Sequence, residues 1–168
     1  LAGIMMSSRS GDIDFSIIPY LMKKLGIKDV SEMIDILNHK SGLLGISGVS
    51  PDMRDIEAVE DTNTRAKLSL EMYRNRILKF IGSYTAEMGG VDVIAFTAGV
   101  GENSTEVRGD IMSGLEYMGL KIDKEKNKQN GAENRITTDD SKVTACTIPT
   151  NEELMIAQDT YGFAKLLD

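Results

Sequence analysis

Val91-Asp92-Val93-Ile94-Ala95-Phe96-Thr97 runs without a break into Ala98-Gly99-Val100-Gly101-Glu102-Asn103-Ser104. Apart from Asp92 and Thr97 the first seven residues are apolar, and they are rich in β-branched side chains, which predicts a buried strand. The next seven predict a glycine turn. Beyond it, Val107, Ile111, Leu115 and Met118 recur at helical spacing up to Gly119, a helix over about residues 105–118. A strand entering a helix through glycines is a building unit of α/β folds with parallel pairing. Such a turn lets a backbone approach an anion, and the following helix offers free N–H groups. No Gly-Lys-Ser/Thr follows, and Ser104 stands where a dinucleotide fingerprint needs its third glycine. The plainer reading is a strand-to-helix turn, with Asn103 as cap and Glu106 closing a capping box.

Working outward, Ala66, Leu70, Tyr73, Ile77, Ile81, Tyr84 and Met88 stripe a helix over residues 63–88, ended by Gly89-Gly90 in a left-handed cap. At ~1.5 Å per residue it spans roughly 38 Å. Helices are predicted over residues 14–25, with Ile17, Ile18, Leu21, Met22 and Leu25 on one face, and over 31–40, with Met33, Ile34 and Leu37 inward. The glycine-rich run over 42–51 predicts a loop. Downstream, residues 123–134 read as a solvated excursion, 135–138 as a weak strand and 142–148 as an apolar strand. A last helix starts in Pro149-Thr150-Asn151-Glu152-Glu153. Two clear strands are too few for a whole sheet, so further strands are expected upstream of Leu1.

The 26 acidic and 19 basic side chains of this 168-residue chain leave a net charge of −7, which argues against a nucleic-acid partner. The single cysteine, Cys146, excludes an internal disulfide and reads as a buried strand residue. Neither a leader pattern nor a run of about 18 apolar residues occurs, so no membrane partner and a cytoplasmic location are expected.

Arg9, in Ser7-Ser8-Arg9-Ser10-Gly11-Asp12-Ile13-Asp14, has the fork that grips carboxylate or phosphate; otherwise it pairs with Asp12 while Asp14 caps the first helix. Asp52-Met53-Arg54 could line a nucleotide pocket or simply start a helix. Thr150 and Glu153 form a capping box, which leaves Glu152 free for a metal. His39 reads as structural at a helix C-terminus, and the ten methionines as core.

In this order, five segments resemble the acetate kinase family: Ser8 to Asp14, Lys40 to Gly48, Asp52 to Asp55, Phe96 to Ser104, and Ile148 to Glu153. The likeness covers essentially the whole chain and is much weaker to butyrate kinases. It implies an α/β, RNase H-like domain of the actin-like ATPase superfamily. Residues 1–168 would be most of the second domain, lacking its first strands and the whole first domain. It further implies that Arg9 holds acetate and the migrating phosphoryl group. Asp52, Met53 and Arg54 would contact adenosine, Gly99, Val100, Gly101, Glu102 and Asn103 would wrap the nucleotide, and Glu152 would bind Mg²⁺. The implied reaction converts acetate and ATP to acetyl phosphate and ADP, reversibly, in a homodimer, with this piece inactive alone. Propionate as substrate, or a non-catalytic dimerisation module, are the alternatives. Two departures stand out: Phe15 replaces a family proline, and Ser7-Ser8 replaces Gly-Thr.

Overall fold

The structure is a computed structural model that describes residues 1–165. The chain divides into two compact units, Leu1–Tyr84 and Thr85 onward.

The first unit carries α1 (Ile17–Leu25), α2 (Val30–His39), α3 (Gly42–Ser47), α4 (Met53–Glu57) and most of α5 (Thr64–Met88). Its core gathers Met5, Met33, Leu37, Leu43, Ile56, Ala66, Leu70 and Tyr73. Residues 42–47, expected as loop, are helical. Gly42 has φ +61°, and a Cβ there would collide with the Met6 carbonyl oxygen and lie 2.7 Å from that of Arg9. The glycine therefore serves the close approach of another backbone segment, and Gly48, at φ +68°, ends the helix.

Asp29 caps α2, its carboxylate accepting from the Ser31 N–H at 3.0 Å. Asn63 caps α5 by accepting from Arg65 and Ala66. The end of α5 is a Schellman motif: Gly90 N–H donates to the Thr85 carbonyl (2.9 Å) and Gly89 N–H to that of Ala86 (3.3 Å). Four expectations fail here. α1 starts at Ile17, because Asp14 accepts from Ser16 and Ile17 in a turn ahead of it. The apolar face of α1 holds no buried residue, and on α2 Ile34 is exposed. On α5 burial is confined to Ala66, Ser69, Leu70 and Tyr73, so the stripe is covered only in its first half.

The second unit is built on a three-stranded sheet of order β1-β3-β2, from β1 (Val93–Phe96), β2 (Asn134–Arg135) and β3 (Thr144–Thr147). β1 and β3 are parallel, pairing Val93 with Thr144 and Phe96 with Thr147, as the strand-helix alternation requires. β2 runs antiparallel to β3. Because β1 is an edge with one partner, only Phe96 of it is buried, against the expectation of a buried strand. Cys146 is likewise half-buried rather than buried. The core is formed by Val107, Ile111, Met112, Leu115, Leu120, Ile136, Val143 and Ala145.

α6 (Ala98–Asn103) occupies the expected glycine turn, so that stretch is helical. α7 (Thr105–Ser113) stops five residues short of its expected end, and a 3-10 turn over Glu116–Met118 completes the run to Gly119. Its cap is Ser104, whose hydroxyl oxygen accepts from the Val107 N–H at 3.2 Å, not Asn103. Residues 123–134 are largely exposed, as expected of a solvated excursion, apart from Asn127, which is 3% exposed. α8 (Glu152–Ala164) is capped by Asn151 accepting from Leu154 N–H, rather than by Thr150. No described helix is long and apolar enough to cross a membrane.

Candidate functional site

In the first unit Arg9 sits on a loop whose backbone is tied at almost every residue. Met6 N–H donates to the Arg9 carbonyl (3.0 Å), Ser10 N–H to that of Leu37 (2.9 Å) and Asp12 N–H to that of Gly3 (3.0 Å). The first free N–H groups of α3 are consumed by the same loop: Leu43 and Leu44 donate to Met6 and Ser7, both at 2.9 Å. The Arg9 side chain is exposed and makes no hydrogen bond or ion pair with a described residue. Asp12, the expected partner, instead accepts from Gly3 N–H at 2.7 Å. A fixed backbone thus presents a free guanidinium.

Asp52, Met53 and Arg54 start α4. Asp52 caps the helix through the Arg54 N–H (2.9 Å), and the Arg54 guanidinium folds back on the same carboxylate at 3.1 and 2.6 Å. Those bonds hold the Asp52 carboxyl down at about 2. Met53 is 8% exposed, so its side chain belongs to the core. A cavity of about 810 Å³ in this unit is lined by Ser10, Asp12, Lys40, Arg76 and Lys79 among others; Arg9, Asp52, Met53 and Arg54 are not among its lining residues.

In the second unit the two expected segments meet. One carboxylate oxygen of Glu102 accepts from both the backbone N–H (2.9 Å) and the hydroxyl (3.0 Å) of Thr150. These bonds, the backbone one first, hold the Glu102 carboxyl below the usual range. α6 is thereby tied to the segment that opens α8. The exposed Asn103 folds back along α6, its side-chain amide donating to the Gly99 carbonyl at 2.9 Å. Ala98 enters the helix at φ +59°, a strained value for a residue with a Cβ. A Cβ at Gly101 would lie 3.2 Å from the Phe96 backbone, whereas one at Gly99 would meet nothing within 4 Å. Gly101 is therefore the packed glycine and Gly99 the open one.

Glu152 stands exposed in the first turn of α8 and has no partner among the described residues. Nor do three or more His, Cys, Asp or Glu side chains there converge into a metal cage. A lone carboxylate suits Mg²⁺ that takes its other oxygens from phosphate and water.

Sequence reasoning missed Arg108. It lies on α7 with no exposed surface. Its guanidinium donates to the Gly101 carbonyl (3.0 Å), to the side-chain and backbone oxygens of Asn127 (2.9 and 2.6 Å), to the Gln129 carbonyl (3.4 Å) and to the Asn130 side chain (2.9 Å). None of its hydrogen-bond partners among the described residues is a carboxylate, and burial pushes it below the ordinary arginine value. The signal was present: Arg108, Ile111, Met112 and Leu115 form one inward stripe with a charge at its head.

The profile described as the Acetokinase family matches residues 1–158. The acetate kinase of Lacticaseibacillus paracasei is 58% identical over 165 residues, covering 98% of this chain and 42% of that protein. That of Thermoanaerobacter pseudethanolicus is 56% identical over 167 residues, covering 98% and 41%. Among solved structures, Porphyromonas gingivalis acetate kinase superposes with a TM-score of 0.88 at 44% identity, covering 95% of this chain and 40% of that one. A propionate kinase from Francisella tularensis gives 0.83 at 41%, covering 93% and 40%. The chain spans about two fifths of the length of the curated relatives it matches.

Proposed function

The chain belongs to the acetokinase family, and from that premise we propose that it forms the nucleotide-binding second domain of an enzyme that phosphorylates acetate with ATP, reversibly. The fold is the α/β actin-like ATPase type shared with the solved acetate kinases. In this reading the catalytic residue is Arg9, gripping the acetate carboxylate and then the migrating phosphoryl group. The observation that carries it is the free guanidinium of Arg9 on a loop fixed by backbone hydrogen bonds.

Phosphoryl transfer asks mainly for in-line positioning and cancellation of charge on the equatorial oxygens. An arginine on a fixed backbone supplies the charge close to the transfer, its free side chain ordering on the ligand. Asp52, Met53 and Arg54 face the adenosine end; Met53 does so through its backbone, since its side chain is buried. Residues 99–103 wrap the nucleotide, with Gly99 offering the open approach. Glu152 is the residue that would hold Mg²⁺, which when bound neutralises phosphate charge. Glu102 contributes by fixing the distance between α6 and the Glu152 turn, both in the second unit.

The test is acetyl-hydroxamate formation by the full-length polypeptide that carries these residues. Acetate- and ATP-dependent product is expected, falling about 10³-fold in Arg9→Ala. A protein without acetate-dependent product, Arg9 and Glu152 intact, overturns the reading. Propionate competes as substrate, since one methylene is worth only about 1–3 kcal/mol of discrimination. A second role as a homodimerisation module, in a cytoplasmic enzyme, is supported by the exposed Leu68, Met72, Tyr84 and Met88 of α5. A monomer in sedimentation velocity of the full-length protein would remove it.

A further inference from the structure

We propose that Arg108 is a positioning residue for nucleotide binding, acting through Gly101, which its guanidinium bonds while remaining out of reach of solvent and ligand. The inference rests on the reading that residues 99–103 face the nucleotide.

The Gly101 peptide is gripped on two sides. On one side the Phe96 backbone would lie 3.2 Å from an added Cβ, tighter than an ordinary contact. On the other side the Arg108 Nη1 donates to the Gly101 carbonyl at 3.0 Å. The remaining donors of the fork end on Asn127, Gln129 and Asn130, so one side chain joins α6 to the 127–130 segment. Asn127 closes the arrangement by donating its side-chain amide to the Thr105 carbonyl at 2.9 Å, at the start of α7 itself. A second tie to the same stretch runs from Gly131 N–H to the Glu102 carbonyl at 3.3 Å.

The arrangement holds a geometry as well as a charge. Arg108 shares its face with Ile111, Met112 and Leu115, all at most 2% exposed, so its charge is buried and satisfied by neutral oxygens. Lysine would keep the charge but not the planar fork that reaches Gly101 and Asn127 at once. What the fork adds is a fixed peptide plane at Gly101, and with it a fixed direction for the neighbouring amides, while Gly99 stays open to a ligand. Ligand groups in a binding site tolerate little misplacement.

The experiment uses the full-length protein with Arg108→Lys and, as a milder variant, Asn127→Ala, which leaves the Arg108–Gly101 bond in place. Two quantities are read: amide hydrogen exchange over residues 98–103, and the KM values for ATP and for the carboxylate. Faster exchange in 98–103 and an ATP KM raised about tenfold in Arg108→Lys, with the carboxylate KM unchanged, is the expected result. Asn127→Ala should follow in the same direction with a smaller change. Unchanged exchange in a folded variant overturns the positioning role. Faster exchange with an unchanged ATP KM, or with both KM values raised alike, reduces Arg108 to a structural part. Exchange needs no turnover, so a failed kinase reading and a failed clamp are told apart.

Discussion

Each unit holds an arginine beside a glycine-dependent turn, and the two arginines are treated in opposite ways. In the first unit the backbone carries the rigidity: loop and helix exchange N–H···O=C bonds, Gly42 allows the contact, and Arg9 is left free. In the second unit the side chain carries it: Arg108 is buried and spends its fork on Gly101, Asn127, Gln129 and Asn130. A guanidinium whose setting is held by other groups is available for chemistry; one that does the holding is not. Exposure and partners, rather than residue type, separate the two roles.

The same substitution at both places should separate them most widely. Arg108→Met leaves several buried oxygens without donors and is expected to destabilise the second unit by about 3–5 kcal/mol. Arg9→Met should change stability by no more than about 0.5 kcal/mol while lowering turnover about 10³-fold. Urea unfolding followed by exchange in each unit decides this, and equal losses would dissolve the contrast.

Gly42→Ala comes next. It places a Cβ against the Met6 and Arg9 backbones at a φ that disfavours side chains, so a cost of about 2–3 kcal/mol is expected, confined to the first unit. Lost turnover should exceed lost stability, because the Arg9 loop must shift.

Glu102 gives a smaller effect, visible in acid. Its carboxyl is held below the usual range by Thr150, so the folded form loses its proton more readily than the unfolded one. The stabilisation is complete above the ordinary carboxylate range and fades as pH falls through the depressed folded value. Thr150 amide protection, corrected for the intrinsic exchange rate at each pH, should therefore be high at neutral pH, fall only in acid, and be weaker at neutral pH in Glu102→Gln. A Gln variant as protected as the parent at pH 7 would show the tie to be dispensable.

Phe15→Pro should do least. Phe15 is 88% exposed, precedes α1, and its N–H makes no bond to a described residue. Proline there should leave melting unchanged or raise stability by up to about 1 kcal/mol. A marked loss would show that the turn depends on Phe15.

Much of the frame was legible in the chain itself. Spacing of Met33 and Leu37, of Ala66, Leu70 and Tyr73, and of Val107, Ile111 and Leu115 gave helices whose cores match, because a 3.6-residue period is a property of neighbours in sequence. Gly89-Gly90 announced its own cap for the same reason. Two caps were misplaced by one residue: Asn103 yielded to Ser104 and Thr150 to Asn151, since several polar residues stand at each helix start and only packing selects one, whereas Asp14 does accept from Ser16 N–H in the turn ahead of α1.

What the sequence determined was local: periodicity, turn chemistry, an acidic net charge and five ordered motifs resembling one family. Only the tertiary structure decided which glycine serves a backbone contact and which stays open, that residues 42–47 and 98–103 are helical, and that Glu102 is spent on Thr150. It alone separated the free arginine from the buried one. The reason is that hydrogen bonds spanning 19 to 48 residues, such as Arg108 to Asn127 or Glu102 to Thr150, leave no periodic trace in the intervening chain.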